Sequence, residues 1–414
     1  MSQRAYLRTL VFAAALGVPV AFAAVLFQTA LHELTDLVWH ELPEAFEWAE
    51  PPAWYVLLLP AIAGLIVAGA LRLPGHGGHT PLEGLGLVAI RPLDLVSILP
   101  AALASLALGI VLGPEAPLLA LGFAIGVIGV RAARSSEREA DLLVLAGAFA
   151  AVAGLFGGPL PAAFLLFEAL AAGGRTKATD ISRALLPGLV AAGTGALVYT
   201  GVGRWQGLDA PELSLPLPDY PTVRLADIAW CLPVAAVVAV VVVAYRDAAV
   251  LMSRRVHVSP LAVLVPAGLA VGAIAVVFRA LADRPVDLVL FSGQESLPDI
   301  VMEGSAGVLA LLVVAKGLAY ALSLGAGFRG GPVFPAVTLG VAIGALAVLV
   351  LPGFALTPAI VAGVAASAAA ALRMPFFAVV MATLLAGPAA VDTAPIGILA
   401  AVVGWLAATA WGER

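Results

Sequence analysis

GPEAPLLALG, residues 113–122, returns as GPVFPAVTLG at residues 331–340, so G-P-x-x-P-x-x-x-L-G is written twice, 218 positions apart (331 − 113). The copies differ in charge, because the third position is Glu115 in the first and Val333 in the second. Each copy ends one helix and suits the start of another. Proline in a first turn forfeits an N–H that no helix would use, and glycine lets another backbone or an ion come close. A break inside lipid is tolerated only where the freed backbone groups line protein or a wet cavity. A helix that starts there presents free N–H groups, with the positive end of its dipole behind them, and attracts anions. Two such ends meeting at one point would hold a partly dehydrated anion weakly enough to release it. Pro114 and Pro332 have no N–H, so the expected donors are Glu115, Ala116, Val333 and Phe334. Gly331 would admit the anion closely, and Phe334 would add an apolar wall.

The breaks continue at matched spacing. Pro117 is followed 42 residues later by Pro159 in FGGPLPAAF, and Pro335 is followed 40 residues later by Pro375 in LRMPFFAVV. Paired interruptions in two halves of a chain point to an internal repeat with a binding site near the membrane midplane. The spacing leaves open whether the repeat is parallel or inverted.

Of the 414 residues, 62% are hydrophobic and 11% charged, and the mean hydropathy is +1.07. These values lie far outside those of ordinary globular chains and predict an all-α integral membrane protein. Apolar runs such as residues 10–31, 54–71 and 235–250 have the length needed to cross a hydrocarbon core ~30 Å thick. The patterning predicts helices at 7–31, 53–72, 95–112, 116–132, 141–156, 159–172, 182–201, 226–252, 260–283, 305–325, 333–351, 358–373, 375–388 and 394–411. Several are too short to span and must be tilted or half-membrane helices: about 14 residues rise only ~21 Å. One transmembrane domain, residues 1–414, is expected, with halves at about 7–202 and 226–411 and no cytoplasmic regulatory domain. Arg4 and Arg8 before a long apolar run read as the start of a first membrane helix rather than a signal peptide, because the run is too long and many more follow.

Residues 32–52 hold six acids and no Lys or Arg, whereas Arg72, Arg91 and residues 131–138, 175–183 and 246–255 mark basic loops. Positive loops lie inside, so the N-terminus is expected in the cytoplasm, with an acidic loop outside. The membrane expected is the plasma membrane of a bacterium. No basic cluster suggests nucleic acid. The single Cys231 excludes an intrachain disulfide.

Glu115 is the informative residue. An ionised carboxylate at an anion-attracting helix start competes with the permeant anion for the same donors, so it plugs the site, and when protonated or displaced it opens it. The alternative is that Glu115 merely caps its own helix. Acids within membrane spans are costly and functional by default, which favours the gate. Glu168, which ends PAAFLLFE, is either a proton relay or an interfacial acid. Lys316 and Arg373 read as snorkelling or paired structural charges, and Arg329 as an added positive potential at the pore mouth.

These residues resemble the CLC family of chloride channels and proton/chloride antiporters. GPEAP is similar to its G-(K/R)-E-G-P motif, GGPVFP to G-x-F-x-P, and FGGPLPAAFLLFE to F-N-A-P-L-A-G-x-x-F-x-x-E. GHGGHTPLEG, residues 75–84, is a looser likeness of G-S-G-I-P-x-x-x-G. The resemblance implies an inverted repeat, a homodimer with one pore per subunit, and a gating glutamate that lands on Glu115. It also implies a central anion near the 75–84 loop, where His76 and Thr80 stand in place of the family's serine. The family's internal proton acceptor falls on Ala169, and its pore tyrosine lies on a further helix with no match here. The expected function is therefore permeation of chloride or a similar small anion, channel-like or weakly coupled to protons. The alternatives are a proton/anion antiporter using Glu168, or an unrelated secondary transporter with discontinuous helices.

An intramembrane enzyme is disfavoured, since the chain has no H-E-x-x-H, G-x-S-x-G or P-loop. His76 and His79 are too few to hold a metal, and no cofactor is expected.

Overall fold

In the computed structural model the described residues are 3–84, 89–133, 136–172, 178–202, 214–254 and 259–412. They form an all-α integral membrane protein. The helices run α1 (Gln3–Asp36), α2 (Leu42–Ala45), α3 (Ala53–Ala70), α4 (Leu95–Ala107), α5 (Glu115–Ala133), α6 (Glu137–Leu155), α7 (Pro159–Ala172) and α8 (Ala178–Val202). They continue as α9 (Leu225–Ser253), α10 (Pro260–Ala282), α11 (Leu297–Met302), α12 (Ala306–Ala326), α13 (Val333–Val350), α14 (Leu356–Leu372), α15 (Pro375–Leu385) and α16 (Ala390–Gly412). Among the described residues, eight helical stretches are long and apolar enough to cross a bilayer. Others are too short: α15, with 11 residues, rises only ~16 Å.

The packing repeats. α5 lies on α6, α6 on α8, and α1 on both α6 and α8; in the same way α13 lies on α14, α14 on α16, and α9 on both α14 and α16. α3 packs along α10 and α7 meets α15, each helix thus meeting its own counterpart. This is the pairing of two inverted repeats related by a pseudo-two-fold axis. Glycines set the helix separations at matching points. A Cβ on Gly122 would strike the carbonyl of Gly147 between α5 and α6, and one on Gly340 would strike the carbonyl of Gly363 between α13 and α14. Small residues let membrane helices pack backbone to backbone, where no hydrophobic force draws them together.

The structure differs from the sequence expectation in four places. The acidic stretch 32–52 is mostly not a loop: α1 runs to Asp36 and continues through a π turn, Leu37–Glu41, into α2. Buried Trp39 in that turn explains why, since its indole N–H donates to the Ala107 carbonyl at 2.9 Å and ties the turn to the end of α4. Helix α4 stops at Ala107, well short of residue 112, because Gly109 takes a left-handed φ of 91°. The short α11 lies in a stretch expected to be loop. Lys316 does not snorkel: it is 1% exposed, and its ammonium donates to the carbonyls of Leu290 at 2.9 Å and Phe291 at 3.4 Å. Parts of the predicted basic loops, at 134–135, 175–177 and 255, lie outside the described residues.

Candidate anion site

The site is built where the two motif copies meet. Helices α4 and α12 are followed by Gly109 and Gly327, both left-handed with φ of 91° and 88°, and the chain then turns into each motif. Gly113 and Gly331 pair as an isolated antiparallel bridge, the Gly113 N–H donating to the Gly331 carbonyl at 2.8 Å and the Gly331 N–H to the Gly113 carbonyl at 2.5 Å. Two serines complete the join. The Val111 N–H donates to Ser323 Oγ at 3.1 Å, and the Arg329 N–H donates to Ser105 Oγ at 3.1 Å. Corresponding residues of the two segments, Gly113 and Gly331, Ser105 and Ser323, Val111 and Arg329, are offset by the same 218 positions (331 − 113, 323 − 105, 329 − 111). Each segment therefore satisfies its buried backbone on the other, as a break inside a membrane requires.

This join brings Glu115 to the start of α13. Glu115 is fully buried, and its Oε1 accepts the Phe334 N–H at 3.0 Å. That N–H belongs to the first turn of α13, where no intrahelical acceptor exists. Glu115 Oε2 has no partner among the described residues. The carboxylate lies against the backbone of both bridge glycines, so a Cβ on Gly113 or Gly331 would collide with its oxygens. Glycine is needed there for close approach. Val333 and Ala116 sit in the first turns of α13 and α5, and Tyr320 Oη donates to the Pro332 carbonyl at 2.8 Å. A cavity of about 100 Å³ reaches Pro332 and Tyr320 and is lined also by Arg246 and Arg373.

The remaining predicted residues lie around this centre. Residues 75–78 form a turn of four positive-φ residues, at 89°, 48°, 73° and 77°. The exposed His76 ring faces the Leu71 carbonyl, with Nδ1 at 3.1 Å, and the Thr80 N–H donates to Glu83 Oε2 at 3.2 Å. The structure gives neither side chain a bond to Glu115. Glu168 reaches from α7 to the start of α15, where its two oxygens accept the N–H groups of Phe376 at 3.0 Å and Phe377 at 2.6 Å. The two carboxylates thus take parallel positions, each on the free amides of a helix that begins at a break. The Phe156 ring joins them, stacking on Phe334 at 5.8 Å and meeting Phe377 edge-on at 5.2 Å.

Sequence reasoning missed Ser105 and Ser323. The signal was present, because both copies extend upstream as S-L-x-x-G-x-x-x-G-P, from residues 105 and 323. Tyr320 gave no such signal, since nothing in its local pattern marks an apolar-helix tyrosine as facing the motif.

Comparison with known proteins gives a consistent result. Residues 75–408 match the family profile described as "Voltage gated chloride channel". The "Putative ion-transport protein YfeO" of Escherichia coli O17:K52:H18 (strain UMN026 / ExPEC) is 30% identical over 346 residues, which cover 81% of this chain and 77% of that protein. The protein of the same name from Escherichia fergusonii gives the same identity and coverage. Among solved structures, a slow cyanobacterial Cl⁻/H⁺ antiporter superposes with a TM-score of 0.79 at 18% identity, covering 98% of this chain and 95% of that one. A CLC-type fluoride/proton antiporter does so with a TM-score of 0.75 at 20% identity, covering 98% and 96%. At these identities the structural likeness establishes the fold.

Proposed function

The chain belongs to the voltage-gated chloride channel (CLC) family, and from that premise we propose that it passes chloride or a similar small anion through a site at the start of α13 gated by Glu115. The observation that carries this reading is the bond from the Phe334 N–H to Glu115 Oε1. A carboxylate held by a free helix-start amide stands in for an anion on the same donor, and whatever removes its charge or its reach hands that donor to the permeant ion. Val333, Ala116 and Gly331 shape the same point, and the loop carrying His76 and Thr80 approaches it from the α3 side. The permeation is channel-like or weakly coupled to protons. In support of this, both oxygens of Glu168 are engaged by backbone amides of α15, and Ala169 follows where a second acid would be needed for a relay.

Reconstituted liposomes test it. A chloride gradient should move chloride with no fixed proton ratio, and Glu115→Gln should keep the flux while removing its regulation. Proton uptake at a fixed ratio that Glu168→Gln abolishes would establish the coupled alternative instead. By the same reading the protein works as a homodimer with one pathway per subunit, which the mass of the purified detergent complex checks. Its N-terminus lies in the cytoplasm of a bacterium, which Arg4 and Arg8 support and which a reporter fused to the N-terminus checks.

A further inference from the structure

Two arginines meet near the end of α9 with no acid to oppose them. Arg246 on α9 and Arg373, the residue that caps α14, line the same cavity of about 100 Å³. No Asp or Glu lines it, and among the described residues neither arginine makes an ion pair. Arg373 Nη2 reaches the Ala408 carbonyl, at 3.5 Å. Asp247, the acid next to Arg246 in the chain, is engaged elsewhere: it accepts the Trp411 indole N–H at 2.6 Å and ties α9 to the end of α16. Arg373 also holds a left-handed φ of 58°, which glycine would adopt without strain. Two like charges that share a cavity repel, so an anionic group between them is what the arrangement lacks.

The depth of the pair is that of lipid phosphates. Arg246 lies 21 residues after Leu225, the first residue of α9 (246 − 225), a rise of ~32 Å against a hydrocarbon core ~30 Å thick. Trp411, bonded to the next residue, stands at the same level, as tryptophan does at a membrane boundary. On the hydrocarbon side of the pair, α9 and α16 leave an apolar cleft of about 150 Å³, lined by Ala239, Val240, Val243, Ala407, Ala410 and Trp411. Ala239 is fully buried at its floor, while Val240 and Trp411, 45% and 38% exposed, bound its open side. A void of about this volume with apolar walls stays dry and takes an apolar guest. Arg373 links the two spaces, since Ala408, whose carbonyl it meets, lies between Ala407 and Ala410 on α16.

We propose that an acidic phospholipid binds here, with its phosphate between Arg246 and Arg373 and one acyl chain in the cleft between α9 and α16. Guanidinium groups take phosphate oxygens in paired, charge-assisted bonds, and basic pockets between membrane helices suit anionic headgroups. By the positive-inside rule, the basic stretch 246–255 assigns the site to the cytoplasmic leaflet. The bound group is a lipid that stays, not an ion that passes, and the proposal does not depend on the permeation reading.

Native mass spectrometry of the detergent-purified full chain tests this, with phosphatidylglycerol, phosphatidylcholine or inorganic phosphate added. Wild type should hold one phosphatidylglycerol per subunit at least ~10-fold more tightly than phosphatidylcholine, as two cations at headgroup depth predict. The double variant Arg246→Gln/Arg373→Gln should lose that preference, and Ala407→Phe, which fills the cleft, should weaken the binding of both lipids. Equal affinity of the wild type for the two lipids overturns the proposal whatever the variants do. Inorganic phosphate that binds as tightly as phosphatidylglycerol, with no effect of Ala407→Phe, marks a free-anion site and also overturns it. Melting temperature separates binding from a structural role. Phosphatidylglycerol should raise it in the wild type and leave it unchanged in the double glutamine variant. A variant that melts lower yet keeps the lipid preference marks the arginines as structural and refutes the proposal. Halide flux in liposomes of phosphatidylcholine alone reads the permeation pathway separately, so either reading can fail without the other.

Discussion

Replacing Glu115 by alanine removes the carboxylate from the Phe334 N–H and leaves that donor to the permeant anion. The magnitude follows from the bond. A hydrogen bond to a charged acceptor contributes about 1.5–3 kcal/mol, and 1.4 kcal/mol corresponds to a factor of about ten. An anion competing with Glu115 for this amide at 3.0 Å is therefore held back by roughly 10- to 100-fold in affinity. Glu115 Oε2 is buried with no hydrogen-bond partner among the described residues. Titration of chloride into purified protein should show Glu115→Ala binding ~10- to 100-fold tighter than wild type. Glu115→Gln should fall between them, because its amide oxygen keeps a neutral bond. Liposome efflux should persist in both variants. An affinity in Glu115→Ala within about threefold of wild type, less than ~0.7 kcal/mol, would refute direct competition for this amide.

Three further outcomes are expected. Gly331→Ala puts a methyl group into the Glu115 carboxylate; it should destabilise the protein by ~1–3 kcal/mol, with much of that cost recovered in the Glu115→Ala background, as a double-mutant cycle of thermal unfolding in detergent would show. Ser105→Ala and Ser323→Ala each strand one buried N–H, of Arg329 and Val111 respectively, and should lower stability by similar amounts, ~1–3 kcal/mol each; a large cost for only one would contradict the two-fold equivalence. Across α11, the guanidinium of Arg284, in the loop after α10, holds the carboxyl of Glu303, just after α11, below its ordinary range. A depressed pKa stabilises above the unfolded value and is lost as pH falls through the folded one, so Glu303→Gln should cost on the order of 1 kcal/mol at neutral pH and little in acid, read as melting temperature against pH.

Much of this architecture is legible from residues 113–122 and 331–340. The glycine and proline types at each break, the apolar runs around them and the common offset carry the helix order, the half-membrane helices and the meeting of two helix starts. Those features are local, since they depend on which residues can begin or end a helix. What sequence alone leaves out is which atoms come within reach once the halves interlock. Glu115 lands on an amide of α13, and Glu168 caps α15 from α7. Lys316, expected either to snorkel or to be a paired structural charge, is instead buried among carbonyls, because the loop at Leu290 and Phe291 folds over it. Continuation of α1 past its acids likewise depends on a remote partner, the Ala107 carbonyl that Trp39 meets.

The reciprocal join has a bearing on biogenesis. When a ribosome has delivered residues 105–115, the serine, the amides and the carbonyl they need are still hundreds of codons away, at 323–334. The early half must therefore wait in or beside the insertion machinery with polar backbone that lipid cannot solvate, and only the arrival of α12 and α13 releases it. Completion of this join is then a late event in synthesis, possible only once residues 323–334 have entered the membrane.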